Sequence, residues 1–252
     1  MRKYLEQIKV TKLHKKKYQN IVEAFERFHV QYDELGFWNQ PQYKKWFNDT
    51  MEEYAFFVNL QPYSRDYIKR SRLIIQQVCS IMYDQLERDL DNIGQCIPVS
   101  KMLASILEKE GVWNYQVIGK VQIDFSRELN LPSIYPSMSP FDDGHAWVVA
   151  PPFGVIDLTI KHQHYPRGLS EYIPEVVMYE PKQWFEQDEE IGYFKLPTYW
   201  VMHNNNVEIM YEIGSVSSST IELSNRLEVS YQLNGKSISE IYHGLIQPKV
   251  SF

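Results

Sequence analysis

Cysteine is scarce: the chain has two among 252 residues, Cys79 and Cys96. Two thiols build neither a disulfide scaffold nor a four-cysteine zinc site, and they set a reducing, cytoplasmic location as the expectation. Long apolar runs are missing as well. None approaches the roughly 20 residues of a membrane-spanning helix, and no apolar stretch follows a basic start as in a secretory signal, so no membrane partner is expected. Positive charge is not in excess: 26 Lys/Arg stand against 32 Asp/Glu, a net charge of −6, which argues against nucleic acid as a partner. Nucleotide-binding glycine fingerprints, internal repeats and low-complexity tracts are missing too.

What is present is a globular composition, 44% hydrophobic and 23% charged, which excludes a chain too polar to bury a core. The charge is uneven. Residues 1–90 hold 15 Lys/Arg against 12 Asp/Glu, and residues 91–252 hold 11 against 20. This divides the chain into a helical N-terminal part, 1–90, lying on an acidic remainder, 91–252. In the first part Leu13, Ile21, Phe25 and Phe28 recur at helical spacing. A break at Gly36 precedes a second helix opened by Pro41, with Tyr43, Trp46, Phe47, Met51, Tyr54 and Val58 on one face. Pro62 interrupts, and a third helix is expected from about Asp66 to Leu90, with Cys79 on its apolar face as a buried structural thiol.

The texture changes at residue 91. Asp91-Asn92-Ile93-Gly94 signals a turn. Met102, Leu103, Ile106 and Leu107 then mark a helix that Gly111 ends, and residues 113–123 read as a strand. A polar loop is expected over 124–143, long enough for a functional segment. Residues 145–150 and 155–160 form two short apolar runs around Pro151-Pro152-Phe153-Gly154, a hairpin signal. Beyond Tyr193, alternation such as Val207-Glu208-Ile209-Met210-Tyr211 predicts further antiparallel strands.

Three side chains in this layout carry a chemistry. Cys96 stands immediately before the amphipathic helix, His145 opens a strand, and Asp157 lies near the end of the next one. A thiol near pH 7 is mostly protonated; a helix start and a neighbouring imidazole favour its nucleophilic thiolate form. The imidazole also shuttles a proton to the leaving group, and a carboxylate behind it fixes its tautomer. The tight turn at 151–154 returns the chain beside itself. Asp157 is therefore expected to bind one nitrogen of His145 while the other faces Cys96. The Cys96 backbone N–H, with Gln95 beside it, is a candidate oxyanion donor. His162 and His164 alternate as on one strand face, but no further ligand motif accompanies them, so neither metal nor cofactor is expected.

Gly94-Gln95-Cys96 with the helix Ser100–Leu107, Gly111-Val112 and a strand resembles the transglutaminase-like core. So does His145-Ala146-Trp147-Val148-Val149 followed by Val155-Ile156-Asp157-Leu158-Thr159. The resemblance covers about residues 91–160 and implies a papain-like α+β fold: a catalytic core with an antiparallel sheet, a helical N-terminal part and a β-rich C-terminal extension. It further implies a triad of Cys96 as nucleophile, His145 as acid/base and Asp157 as orienting carboxylate, with Trp147 joining Gln95 as a substrate-side residue. The activity implied is hydrolysis of a peptide or protein amide through a thioester, of protease or deamidase type. Acyl transfer of transglutaminase or N-acetyltransferase type, and a catalytically inactive binding module, are the alternatives. Ile97 and Pro98 stand where the crosslinking enzymes often carry an aromatic residue, which counts against crosslinking.

Overall fold

A computed structural model describes residues 12–47, 51–88, 94–136, 144–166, 168–181, 198–203 and 206–217. Among the described residues the α-helices come first: α1 (Lys12–Arg27), α2 (Pro41–Trp46), α3 (Glu52–Leu60), α4 (Arg65–Arg88) and α5 (Cys96–Lys109). Six strands follow: β1 (Tyr115–Phe125), β2 (His145–Ala150), β3 (Phe153–Asp157), β4 (Val177–Tyr179), β5 (Thr198–His203) and β6 (Val207–Ser217). The fold class is α+β. Where one helix was expected over residues 43–58 there are two, α2 and α3, because the chain leaves helical geometry at Phe47.

The strands form one sheet in the order β4-β3-β2-β1-β6-β5, and every neighbouring pair is antiparallel. Alternating side chains send the two faces of the sheet into two apolar clusters. Val117, Trp147, Val149 and Val155 join Phe25, Phe37, Tyr43 and Phe57 in the first cluster, so α1, α2 and α3 share a core with one face. Val148, Ala150 and Ile156 join Ile75, Met82, Leu103 and Leu107 in the second, against α4 and α5. Phe25 anchors the first cluster: the rings of Tyr32, Phe37, Tyr43, Phe47 and Phe57 all lie within 6.0 Å of its centroid. Phe37 and Phe47 meet it edge-on, and such pairs each add about 1 kcal/mol beyond simple burial.

Helix α5 is fixed at both ends. At its C-terminus Gly111 takes a left-handed φ of 75°. Its N–H then reaches the carbonyl of Glu108, and the Val112 N–H reaches that of Leu107 at 2.8 Å, satisfying two carbonyls the helix leaves open. The Arg70 guanidinium donates to the Glu110 carbonyl at 2.7 Å, tying α4 to the same end. At the N-terminus the buried Gln116 of β1 donates to the Ile97 carbonyl at 3.1 Å and to Ser100 Oγ at 2.6 Å. The Ser100 hydroxyl in turn donates to the Cys96 carbonyl at 2.6 Å.

The hairpin of β2 and β3 has Val148 opposite Ile156 and Ala150 opposite Phe153. The expected loop over 124–143 begins later, because β1 continues to Phe125. Its Ile134 then folds back to exchange two backbone hydrogen bonds with Ile123, at 2.8 and 2.9 Å. Residues 137–143 lie outside the described part. Among the described residues no helix is long and apolar enough to cross a membrane.

Across β1 and β2, Gly119 stands opposite His145. A β-carbon there would meet the Glu212 carbonyl oxygen at 2.1 Å and the Trp147 ring at 2.7 Å. Backbone cannot yield as a flexible side-chain tip does, so Gly119→Ala is expected to cost about 3 kcal/mol. Urea unfolding of the two proteins measures it; equal midpoints would mean that β1 and β6 have more room between them than these distances allow.

Candidate active site

Cys96 is the first residue of α5, and Gln95 is its N-cap. The preceding turn is held in place: the Gly94 N–H donates to the His162 carbonyl at 2.8 Å, and the His162 N–H donates to the Thr159 carbonyl at 2.9 Å. The loop that follows Asp157 thereby clasps the residues that precede Cys96. In the first turn of α5 the Val99 N–H closes onto the Gln95 carbonyl. The N–H groups of Cys96 and Ile97 point out of the helix with no partner inside it.

His145 and Asp157 meet as the hairpin requires. Imidazole Nε2 lies 2.7 Å from Asp157 Oδ2, and both side chains have no solvent exposure. The other ring nitrogen, Nδ1, is buried and has no hydrogen-bond partner. Cys96 neighbours the ring and adds to the interactions that raise the His145 pKa. The pair is thus fully formed on the carboxylate side, and the opposite ring nitrogen is left without a hydrogen bond.

Asp157 is heavily solvated by protein. Its Oδ1 accepts from the Thr159 N–H at 2.9 Å and from the Thr159 hydroxyl at 3.1 Å. Its Oδ2 accepts from the Tyr211 hydroxyl at 3.0 Å as well as facing His145. Burial works to raise the Asp157 pKa. The His145 charge and hydrogen bond, with those of Thr159 and Tyr211, outweigh burial and hold it below the usual carboxylate range. Burial likewise opposes a charged imidazole, but Asp157, with Cys96 adding to it, raises the His145 pKa to about 10. Both shifts favour the carboxylate–imidazolium form of the pair.

Of the sequence candidates, His145 and Asp157 are joined by a hydrogen bond, Cys96 acts on the same imidazole, and all three are fully buried or within 1% of it. Gln95 is half-buried, with no side-chain hydrogen bond to the helix it caps. Trp147, expected on the substrate side, is instead in the core. It points to the same sheet face as His145 but has no exposure, lies edge-on to Tyr211 at 5.2 Å and fills the space above Gly119.

Sequence reasoning passed over two contributors. Tyr211 reaches Asp157 from 54 residues away, and Gln116 straps the first turn of α5 from β1. A buried glutamine in the middle of an apolar strand was a visible signal for the second; nothing local marked the first. Cys79 differs from Cys96: it is buried among apolar groups of α4 and α5, and burial alone pushes its thiol pKa up. Among the described residues no group of three or more His, Cys, Asp or Glu converges as a metal site. Comparison of the chain with protein-family models, curated proteins and solved structures gives no match.

The two pKa shifts set a pH window. A raised His145 pKa stabilises the fold fully below about pH 6.5, and this contribution is lost as pH climbs toward 10. A lowered Asp157 pKa contributes above its unfolded value of about 4, and this is lost on further acidification. The stability gap between the native protein and His145→Gln is therefore expected to be widest between about pH 5 and 6.5 and to narrow steadily toward pH 10. Urea midpoints across that range check it; a gap that does not change with pH would show that His145 carries no charge in the fold.

Proposed function

We propose that this chain is a cysteine-dependent amide hydrolase, transglutaminase-like or papain-like in its core, working through a thioester on Cys96. The reading is supported above all by the buried His145–Asp157 pair beside the helix that Cys96 opens. An imidazolium is locked to a carboxylate through Nε2 at 2.7 Å, leaving Nδ1 for a thiol at a helix start. An imidazolium is the neighbour that favours a thiolate, and a thiolate is the nucleophile.

The proposed reaction runs in two halves. Cys96 sulfur attacks the amide carbonyl carbon, and the negative charge moves to the carbonyl oxygen. The outward N–H groups at the start of α5 are the donors best placed by helix geometry to meet that oxygen. His145 gives its Nδ1 proton to the leaving amine, the carbon–nitrogen bond breaks, and a thioester remains. The neutral ring then takes a proton from water, whose oxygen attacks the thioester and releases the acid. Cys96 leaves as thiolate and the imidazolium is restored. Asp157 keeps the tautomer right throughout and needs no proton of its own. Substrate is assigned by class only, a peptide or protein amide; an amine in place of water would make the same site an acyl transferase.

A second reading, a binding module that retains the constellation without turnover, is favoured by one observation: Cys96, His145 and Asp157 all lie without meaningful exposure. Thiol reactivity separates the two. With iodoacetamide near neutral pH, Cys96 is expected to alkylate well ahead of Cys79, and His145→Ala should slow that labelling by about a hundredfold or more. Amide hydrolysis against a peptide library is expected to fall by about three orders of magnitude in Cys96→Ala. Equal labelling of the two thiols, or labelling indifferent to His145, would remove the catalytic reading and leave the binding one.

A further inference from the structure

A carboxylate that merely fixes an imidazole tautomer needs one good contact besides the ring. Asp157 has three. The two from Thr159 are local, two residues along the chain, and any Asp-x-Thr turn supplies them. The third is not local. Tyr211 belongs to β6, three strands away from β3 in the order β3-β2-β1-β6. In a flat sheet those strands would stand about 14 Å apart, more than a tyrosine and an aspartate span between them. The hydroxyl nevertheless sits 3.0 Å from Oδ2. The sheet must curl until β6 and β3 face each other across β1 and β2, and the tyrosine–aspartate bond closes that concave side. Trp147 lies in the hollow, edge-on to Tyr211, and the bare Gly119 leaves room for its ring.

We infer that Tyr211 is a positioning residue of this site. Its hydroxyl fixes the rotamer of the Asp157 carboxylate and keeps Oδ2 aimed at His145 Nε2, so that Nδ1 is turned to Cys96. The inference rests on the triad reading above. The phenol is suited to the task. Burial, then the Asp157 charge, raise its pKa well above the ordinary value, so it remains a donor at any working pH. The titratable groups around Asp157 are His145 from β2, Tyr211 from β6, and Tyr165 and His162 from the loop after β3, with Cys96 of α5 acting through His145. Of these, Tyr211 is the one whose hydroxyl shares Oδ2 with the imidazole.

Tyr211→Phe isolates the effect, because the ring and its contact with Trp147 are kept and only the O–H is lost. Without that donor the ionised carboxylate is less favoured, so the relay fails earlier on acidification. Iodoacetamide labelling of Cys96, followed by peptide mapping from about pH 4.5 to 8.5, is expected to be about tenfold slower in the variant at the acid end and to converge with the native protein at the alkaline end. The melting temperature should move by no more than a few degrees. Superimposed pH profiles, or a loss by one constant factor at every pH, would overturn the inference, since a purely structural role has no reason to follow carboxylate ionisation.

A second readout separates this outcome from failure of the triad reading. The downfield Nε2–H proton of His145, followed by NMR, is expected to disappear at higher pH in Tyr211→Phe than in the native protein, whether or not Cys96 proves reactive. Should the variant not fold, the native protein alone decides: the Tyr211 ring carbon bearing the hydroxyl should shift in step with loss of the His145 proton. A tyrosine indifferent to that transition would refute its place in the site. Unreactive Cys96 together with coupled Tyr211 and His145 signals would sink the hydrolase reading while leaving the tyrosine–aspartate–histidine unit intact.

Discussion

A carboxylate and an imidazolium with no solvent around either are the constraint to which the centre of this molecule answers. Each loses several kcal/mol of hydration on burial, and their mutual attraction offsets this only when every remaining lone pair is also engaged. Asp157 meets that condition with Thr159 on one oxygen and with Tyr211 and His145 on the other. The condition is costly to break, because removing either partner leaves a buried charge uncompensated, at about 3–5 kcal/mol. Strands β2, β3 and β6 are therefore held in a common relation by electrostatics as well as by their backbone ladders.

The helices turn that relation into a site. The sheet lies between two apolar clusters, one shared with α1, α2 and α3 and the other with α4 and α5. Helix α5 cannot slide along its face, because Arg70 and the Gly111 turn fix one end while Gln116 and Ser100 fix the other. The turn before Cys96 is pinned to His162, in the segment that follows Asp157. The start of α5 and the end of the hairpin are thus tied together through backbone hydrogen bonds. The same close packing covers Cys96, His145 and Asp157, none of them more than 1% exposed, and low polarity strengthens every charge interaction there.

Much of this was legible in the residues. Period and end signals placed the start of the long third helix within one residue, its expected end at Leu90 lies outside the described residues, and the apolar run opening at His145 became β2. The spacing of twelve between His145 and Asp157 around a Pro-Pro turn carried the most information. A two-stranded return is the short way to use such a stretch, and it brings these two side chains to one face. What misled was local likeness. The aromatic face over 43–58 read as one helix because the break after Trp46 carries no glycine or proline. Trp147 read as a substrate-side residue through the likeness of His145-Ala146-Trp147 to a known motif, whereas in the fold it is fully buried against Tyr211.

The chain's own pattern determined which segments become helices and strands, where the hairpin turns, and that a thiol, an imidazole and a carboxylate lie on adjoining elements. Those are properties of near neighbours, governed by backbone geometry and the alternation of apolar side chains. Only the folded structure decided that β6 lies beside β1, that the sheet curls far enough for Tyr211 to reach Asp157, and that the pair is sealed from solvent. Contacts across 54 residues depend on how strands are ordered and how strongly they twist. Those are outcomes of the whole core packing together, and no short stretch of sequence encodes them.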